Sequence, residues 1–182
     1  MSLEREVVQL LRNSHALRHA SFRVGTAWMT PRRLQRVADA IDQDQIQVVK
    51  GEPTNGGEAM YDYTQDCIVT SSQNMSAPGI RGLMIHDCVH AANDMEAYTM
   101  SRLDDESCAF LTQVVYLRDN SATHRQMPYT QNRLFGALAR AADTLRLCSP
   151  LSAEQITMVR RAILETPLYS DIQGRRIRYN GL

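Results

Sequence analysis

The hydrophobic pattern changes period twice along the chain, and this limits the folds open to it. Leu3, Val7, Leu10, Leu11 and Leu17 recur at helical spacing and predict a helix over residues 2–20. A second helix is predicted over 31–43, with Pro31 at a first-turn position and Thr30 as N-cap. Ile46-Gln47-Val48-Val49 is then short, β-branched and partly alternating, which reads as a strand. Glu52 to Gly57 is a turn cluster. Ala59–Tyr63 and Cys67–Thr70 predict a hairpin across Thr64-Gln65-Asp66, and Ser71–Gly79 a polar loop. From Ile80 the helical period returns. Helices are predicted over 80–93, over 104–117 with Asp104 as N-cap, over 131–147 starting at Gln131, and over 153–165 with Ser152 as N-cap. Helices, a small sheet, then helices predict a mostly helical α+β fold. One domain spans residues 1–182, with a polar, Arg-rich tail over 170–182 expected to be loosely held.

At 182 residues, such a domain can bury a core without staples. The formal net charge is zero, from 20 basic and 20 acidic residues, so nothing in the balance recruits nucleic acid or an anionic membrane. Lys50 is the only lysine; the scattered arginines read as codon bias. Cys67, Cys88, Cys108 and Cys148 form no CxxC pair, and three of them fall in regular segments where a thiol behaves as a small hydrophobe. That fits a reducing compartment, while leaving a Cys88–Cys108 disulfide open. The N-terminal residues lack a signal peptide's basic start and apolar stretch. The expectation is a cytoplasmic protein, or one secreted by a signal-peptide-independent route.

Chemistry concentrates at His86-Asp87-Cys88-Val89-His90. Two histidines four residues apart share a helix face, about 6 Å apart along the axis. Both imidazoles can then reach one metal ion, Zn2+ first among the candidates, though imidazole also suits other divalent transition metals. A tetrahedral site needs a third protein ligand. Glu106, in the acidic run Asp104-Asp105-Glu106 ahead of an apolar helix, is the first choice. Asp105 is the second. Asp94, four residues past His90, is a further ligand candidate or a partner for a histidine N–H. The plainer alternative is two histidines at a helix–helix contact, paired with Asp94 or Glu106.

His15 and His19 make a second HxxxH pair, with no acid at the second position and no acidic helix soon after. They read as two histidines at a helix–helix contact, and they show that the spacing alone is weak evidence. His124 lies in a polar loop and reads as exposed.

The stretch from about 59 to 117 resembles the zincin superfamily of HExxH metallopeptidases, in particular compact gluzincin-like members. A strand, Cys67–Thr70, precedes the motif helix Gly82–Ala91. The helix with Glu106-Ser107-Cys108-Ala109 follows, similar to the family's ExxA helix. The resemblance implies that His86, His90 and Glu106 hold zinc. It implies that Asp87 is the general base, that Cys67–Thr70 is an edge strand, and that the substrate is a protein or peptide bound extended along it. It also implies cleavage of peptide bonds in proteins or peptidoglycan-type peptides. Small zincin domains occur among bacterial and phage-encoded proteins, toxin effectors included.

One position departs from that pattern. Asp87 stands where the family has glutamate, about 1.5 Å shorter in reach. A misplacement of about 1 Å can cost on the order of 100-fold in rate. Two other readings follow: a zincin-like binding protein with little or no turnover, or a helical interaction or adaptor domain. Tyr98 and Tyr116 are the candidate phenols for stabilising an oxyanion.

Overall fold

The computed structural model describes residues 2–72, 75–97, 99–129 and 132–181. Tyr98, Gln131 and two residues of the Ser71–Gly79 loop lie outside them. The chain folds as one α+β domain.

Helix α1 runs Leu3–Asn13 and is capped by Ser2, whose side chain accepts from the Arg5 N–H. It is shorter than its periodicity predicts. The chain breaks at Ser14 and re-forms as a 3-10 turn over Ala16–His19. A hairpin that the sequence did not announce follows, β1 (Phe22–Val24) with β2 (Ala27–Met29). Gly25 takes its left-handed turn position at φ +57°. Helix α2 spans Pro31–Asp42, with Pro31 in its first turn.

Three strands form the main sheet: β3 (Gln47–Lys50), β4 (Ala59–Asp62) and β5 (Cys67–Thr70). Their order is β3-β5-β4, with β3 parallel and β4 antiparallel to β5. This corrects the edge-strand expectation: Cys67–Thr70 is hydrogen-bonded on both sides, and β4 is an edge. The β-branched residues of β5 are what a central strand buries.

Helix α3 (Pro78–Asp94) and helix α4 (Arg102–Asn120) are the middle of the molecule. Neither carries a single apolar stripe, because both are buried over most of their circumference. They pack against each other closely enough that a Cβ on Gly82 of α3 would sit 3.2 Å from Leu117 of α4. One apolar cluster joins α1, α2, the sheet and α3, with Ile68, Met84, Ile85 and Val89 fully buried. A second lies on the other flank of α4. It is built with α6 (Arg133–Arg146) and α7 (Ala153–Leu164), the latter closed by a Ser152/Gln155 capping box. The short α5 (Ala122–Gln126) links α4 to α6.

Two further expectations are corrected. Asp104 does not cap α4; Ser101 does, accepting from the Asp104 N–H at 3.4 Å. The Asp104 carboxylate instead accepts from the N–H and hydroxyl of Thr26, both at 3.0 Å, tying α4 to the β1–β2 turn. The tail is not loose. Strand β7 (Arg176–Arg178) pairs antiparallel with β6 (Thr99–Ser101), and Tyr179 behind it is buried. All four cysteines are free thiols, and only Cys148 is exposed. Among the described residues no helix is long and apolar enough to cross a membrane.

Candidate metal centre

Helix α3 presents His86 and His90 one turn apart, with ring centroids 4.8 Å apart. Opposite them, the start of α4 presents Glu106. Its Oε2 lies 3.5 Å from Nε2 of His86 and 3.9 Å from Nε2 of His90. Ligand atoms bound tetrahedrally at 2.0–2.1 Å stand about 3.3 Å apart, so the two contacts to Glu106 are within a few tenths of an ångström of that geometry, and all three donor atoms lie within 4.8 Å of one another. Both approaches are too long to be good hydrogen bonds. The Glu106 Oε2 and the His86 Nδ1 are buried without a hydrogen-bond partner. Leaving a buried acceptor unpaired costs about 1–3 kcal/mol, more for a charged one. A cation between the two imidazoles and this oxygen would remove that cost for Glu106, though not for the Nδ1 of His86, which is on the other side of its ring. His86, His90 and Glu106 therefore form a buried group that could hold a metal ion.

The other acids that the sequence offered serve different roles. Asp105 is turned to the far side of His90 and accepts from its Nδ1 at 2.8 Å. Its carboxylate also accepts from Asn93 Nδ2 at 2.6 Å and from the Tyr179 hydroxyl at 2.9 Å. Binding the Nδ1 proton orients the ring of His90 and turns its Nε2 toward Glu106, where a metal ion would take the place of the Nε2 proton. Asp94 does not face the histidines. It accepts from the Tyr61 hydroxyl at 2.8 Å and from the Gly181 N–H at 2.9 Å, so it fastens the sheet and the tail to α3.

Electrostatics follow from burial and this wiring. Burial disfavours a charged His90, but the carboxylates of Asp105, Glu106 and Asp87 outweigh it and raise the group to about 10. Burial also pushes Asp105 and Glu106 up, yet the histidines beside them win and both carboxyls end below their ordinary values. Asp87 goes the other way: burial raises it, and His86 and His90 only partly offset that.

Asp87 lies on the sheet side of α3, where its Oδ1 accepts from the Tyr61 N–H at 3.0 Å. Ser71 N–H donates to the Glu58 carbonyl at 3.1 Å, which sets the alternation of the β4–β5 ladder. By that alternation the Tyr61 N–H points away from β5, out of the open edge of β4. The carboxylate expected to act as base thus caps an edge N–H.

Of the two tyrosines singled out, Tyr116 is buried on α4 and lines a cleft beside His15, away from this group. Sequence reasoning missed Tyr179, Asn93, Phe110 and Tyr169. The Phe110 ring lies 4.6 Å from His86, and Tyr169 stacks edge-on to Phe110 at 5.3 Å. Burial raises the Tyr169 hydroxyl, as do the charges of Glu106 and Asp87. No local motif marks these residues; folding brings Tyr169 and Tyr179 in from the far end of the chain. A cleft of about 460 Å³, walled by Leu134, Phe135 and Leu138, begins at Phe110.

No family model, no curated protein and no solved structure matches this chain. The metal reading rests on the three converging donors.

Proposed function

We propose that this chain is a zinc-dependent hydrolase of zincin type that cleaves peptide bonds in proteins or peptidoglycan-type peptides. The observation that carries the reading is the convergence of His86 Nε2, His90 Nε2 and Glu106 Oε2 on one point, with a buried carboxyl of raised pKa next in sequence to the first ligand. Zinc bound there would polarise the scissile carbonyl and activate water. His86, His90 and Glu106 hold the ion, and Asp105 orients His90. Asp87 takes the proton of the attacking water through Oδ2, since Oδ1 is held by Tyr61. A carboxyl raised above its ordinary value by burial holds a proton more readily, which suits such proton exchange. The cleft beyond Phe110 would receive an apolar side chain of the substrate.

The test has two stages. Purified protein is analysed for metal, then assayed on unstructured protein and on stem-peptide substrates with and without chelator. About one equivalent of zinc lost in His86→Ala, and cleavage lost in Asp87→Asn, is the expected result. No metal in the native protein at saturating Zn2+ would remove the reading.

The hold of Asp87 on the Tyr61 N–H favours a second reading, a metal-binding protein of this fold that grips a partner without turnover. It expects zinc at the same stoichiometry and no chelator-sensitive cleavage of any substrate.

A further inference from the structure

The second HxxxH pair is not on a helix face. Because α1 stops at Asn13, His15 and His19 bracket the 3-10 turn, with ring centroids 5.7 Å apart. Two residues from distant parts of the chain meet them there. Asp119 comes from the last turn of α4, and Cys148 from the turn that ends α6. One nitrogen from each histidine and one carboxylate oxygen of Asp119 lie within 4.8 Å of one another. The Cys148 Sγ lies 3.9 Å from His19 Nδ1 but outside that three-donor set, so its side chain must rotate to join it.

We propose that His15, His19, Asp119 and Cys148 form a second site, separate from the His86–His90–Glu106 group, for a divalent metal of the zinc class. Two imidazoles, a thiolate and a carboxylate are a donor set that such a metal takes. Nitrogen and sulfur ligands on one tetrahedral zinc stand about 3.6 Å apart, close to the separation found here. The imidazole–carboxylate spacing is looser by up to about 1.5 Å than in a closed tetrahedral site. His15 is exposed and His19 and Asp119 are half-buried, so their side chains can rotate to close it.

The backbone at Cys148 supports the assignment. Its φ is +55°, just past the end of α6, where glycine is the favoured residue. A side chain there costs about 1 kcal/mol or more. The other three cysteines are buried, and burial pushes the Cys88 and Cys108 thiols up. Cys148 is the accessible thiol, and it stands beside an imidazole. Arg146 already grips Oδ1 of Asp119 at 2.7 Å. A carboxylate has about four lone-pair sites, so this bond fixes Asp119 while leaving room for a metal. A cleft of about 630 Å³, lined by Asn13, Arg81 and Asn120, reaches the site at His15.

The test uses the full chain with Zn2+ and Co2+ as probes, in a background where the first site has been removed. The wild type is expected to bind two equivalents of Zn2+. His86→Ala is expected to bind one, and His86→Ala with His19→Ala none. Co2+ added to His86→Ala should give a thiolate charge-transfer band that Cys148→Ser abolishes. Glu106→Gln serves as the background if His86→Ala does not keep the native circular dichroism and melting transition. A natively folded His86→Ala or Glu106→Gln protein that takes up no metal would overturn the proposal. So would an equivalent retained after His19→Ala, or a cobalt spectrum unchanged by Cys148→Ser.

Discussion

Nδ1 of His90 and Oδ2 of Asp105 lie 2.8 Å apart across the α3–α4 interface. That contact turns a histidine at a helix crossing into an oriented donor. It also makes the metal group depend on a residue that would not itself touch the ion.

Asp105→Asn is therefore expected to weaken metal binding at the His86–His90–Glu106 group by about 10- to 100-fold without removing it, whereas His86→Ala should remove it from that group. Competition against a chromophoric chelator separates the two. Equal affinity in Asp105→Asn and wild type would show that the carboxylate does not orient His90.

Tyr179→Phe deletes one of the bonds to the Asp105 carboxylate while keeping the buried ring. Hydrogen bonds to charged groups contribute roughly 1.5–3 kcal/mol. In a chain of this length that corresponds to a fall in Tm of about 3–12 °C. Calorimetry checks it, and an unchanged Tm would mean that β6–β7 pairing and the Gly181–Asp94 bond hold the tail without this hydroxyl.

Chelation should destabilise the fold through the His86–His90–Glu106 group. With free Zn2+ at about 100 times Kd, binding to the folded state adds about 2.7 kcal/mol. Thermal melts with and without chelator are expected to differ by several degrees, and the difference should shrink sharply in His86→Ala.

Asp143 is expected to govern part of the acid stability. Burial raises its carboxyl, but Arg118 (Nε to Oδ1 3.0 Å), Tyr129 and Arg146 prevail and hold it below the ordinary value of 3.8. A carboxyl depressed in the folded state stabilises above its unfolded pKa and loses that contribution as pH falls through the folded one. Asp143→Asn should thus be less stable than wild type at pH 7 by roughly 1.5–3 kcal/mol, with the gap narrowing below about pH 3.8. Urea unfolding across pH reads this directly; a gap that widens on acidification would reverse the sign.

Gly25→Ala should be costly. The position has φ +57°, and a Cβ would run into the Asp104 carboxylate. About 1–3 kcal/mol is expected from the backbone, beyond any loss of the Thr26–Asp104 bonds. A variant as stable as wild type in denaturant titration would mean that the turn can re-form without that contact.

The long elements were legible because their signals are local. The ranges of α2, α3, α6 and α7 follow from periodicity and caps to within about two residues, and that of α4 to within three. The hairpin over 59–70 follows from its turn residues. The misses are those where local chemistry had a competitor. Asp104 has the right identity for a cap, but Ser101 takes that place, and Asp104 is drawn to Thr26, 78 residues away. Strands β1, β6 and β7 have three residues each, too few to show a period. At the metal group the donors were legible and their division of labour was not. Whether Asp105, Asp94 or Glu106 faces the histidines depends on the crossing of α3 and α4 and on Tyr61, Tyr179 and Gly181 closing in from outside. The interest of His15 and His19 could not be read without Asp119, which reaches them only through the tertiary fold.

The bond from the Tyr61 N–H to Asp87 closes the edge of β4 against α3, where both residues are buried. A buried N–H left without an acceptor costs about 1–3 kcal/mol. Asp87→Ala would strip this donor of its partner, and such a protein is expected to lose stability as well as any base. Asp87→Asn keeps a carbonyl oxygen for Tyr61 and removes only the basicity. The two substitutions, compared by denaturant titration and by turnover, separate the anchor of a strand edge from the acceptor of a proton.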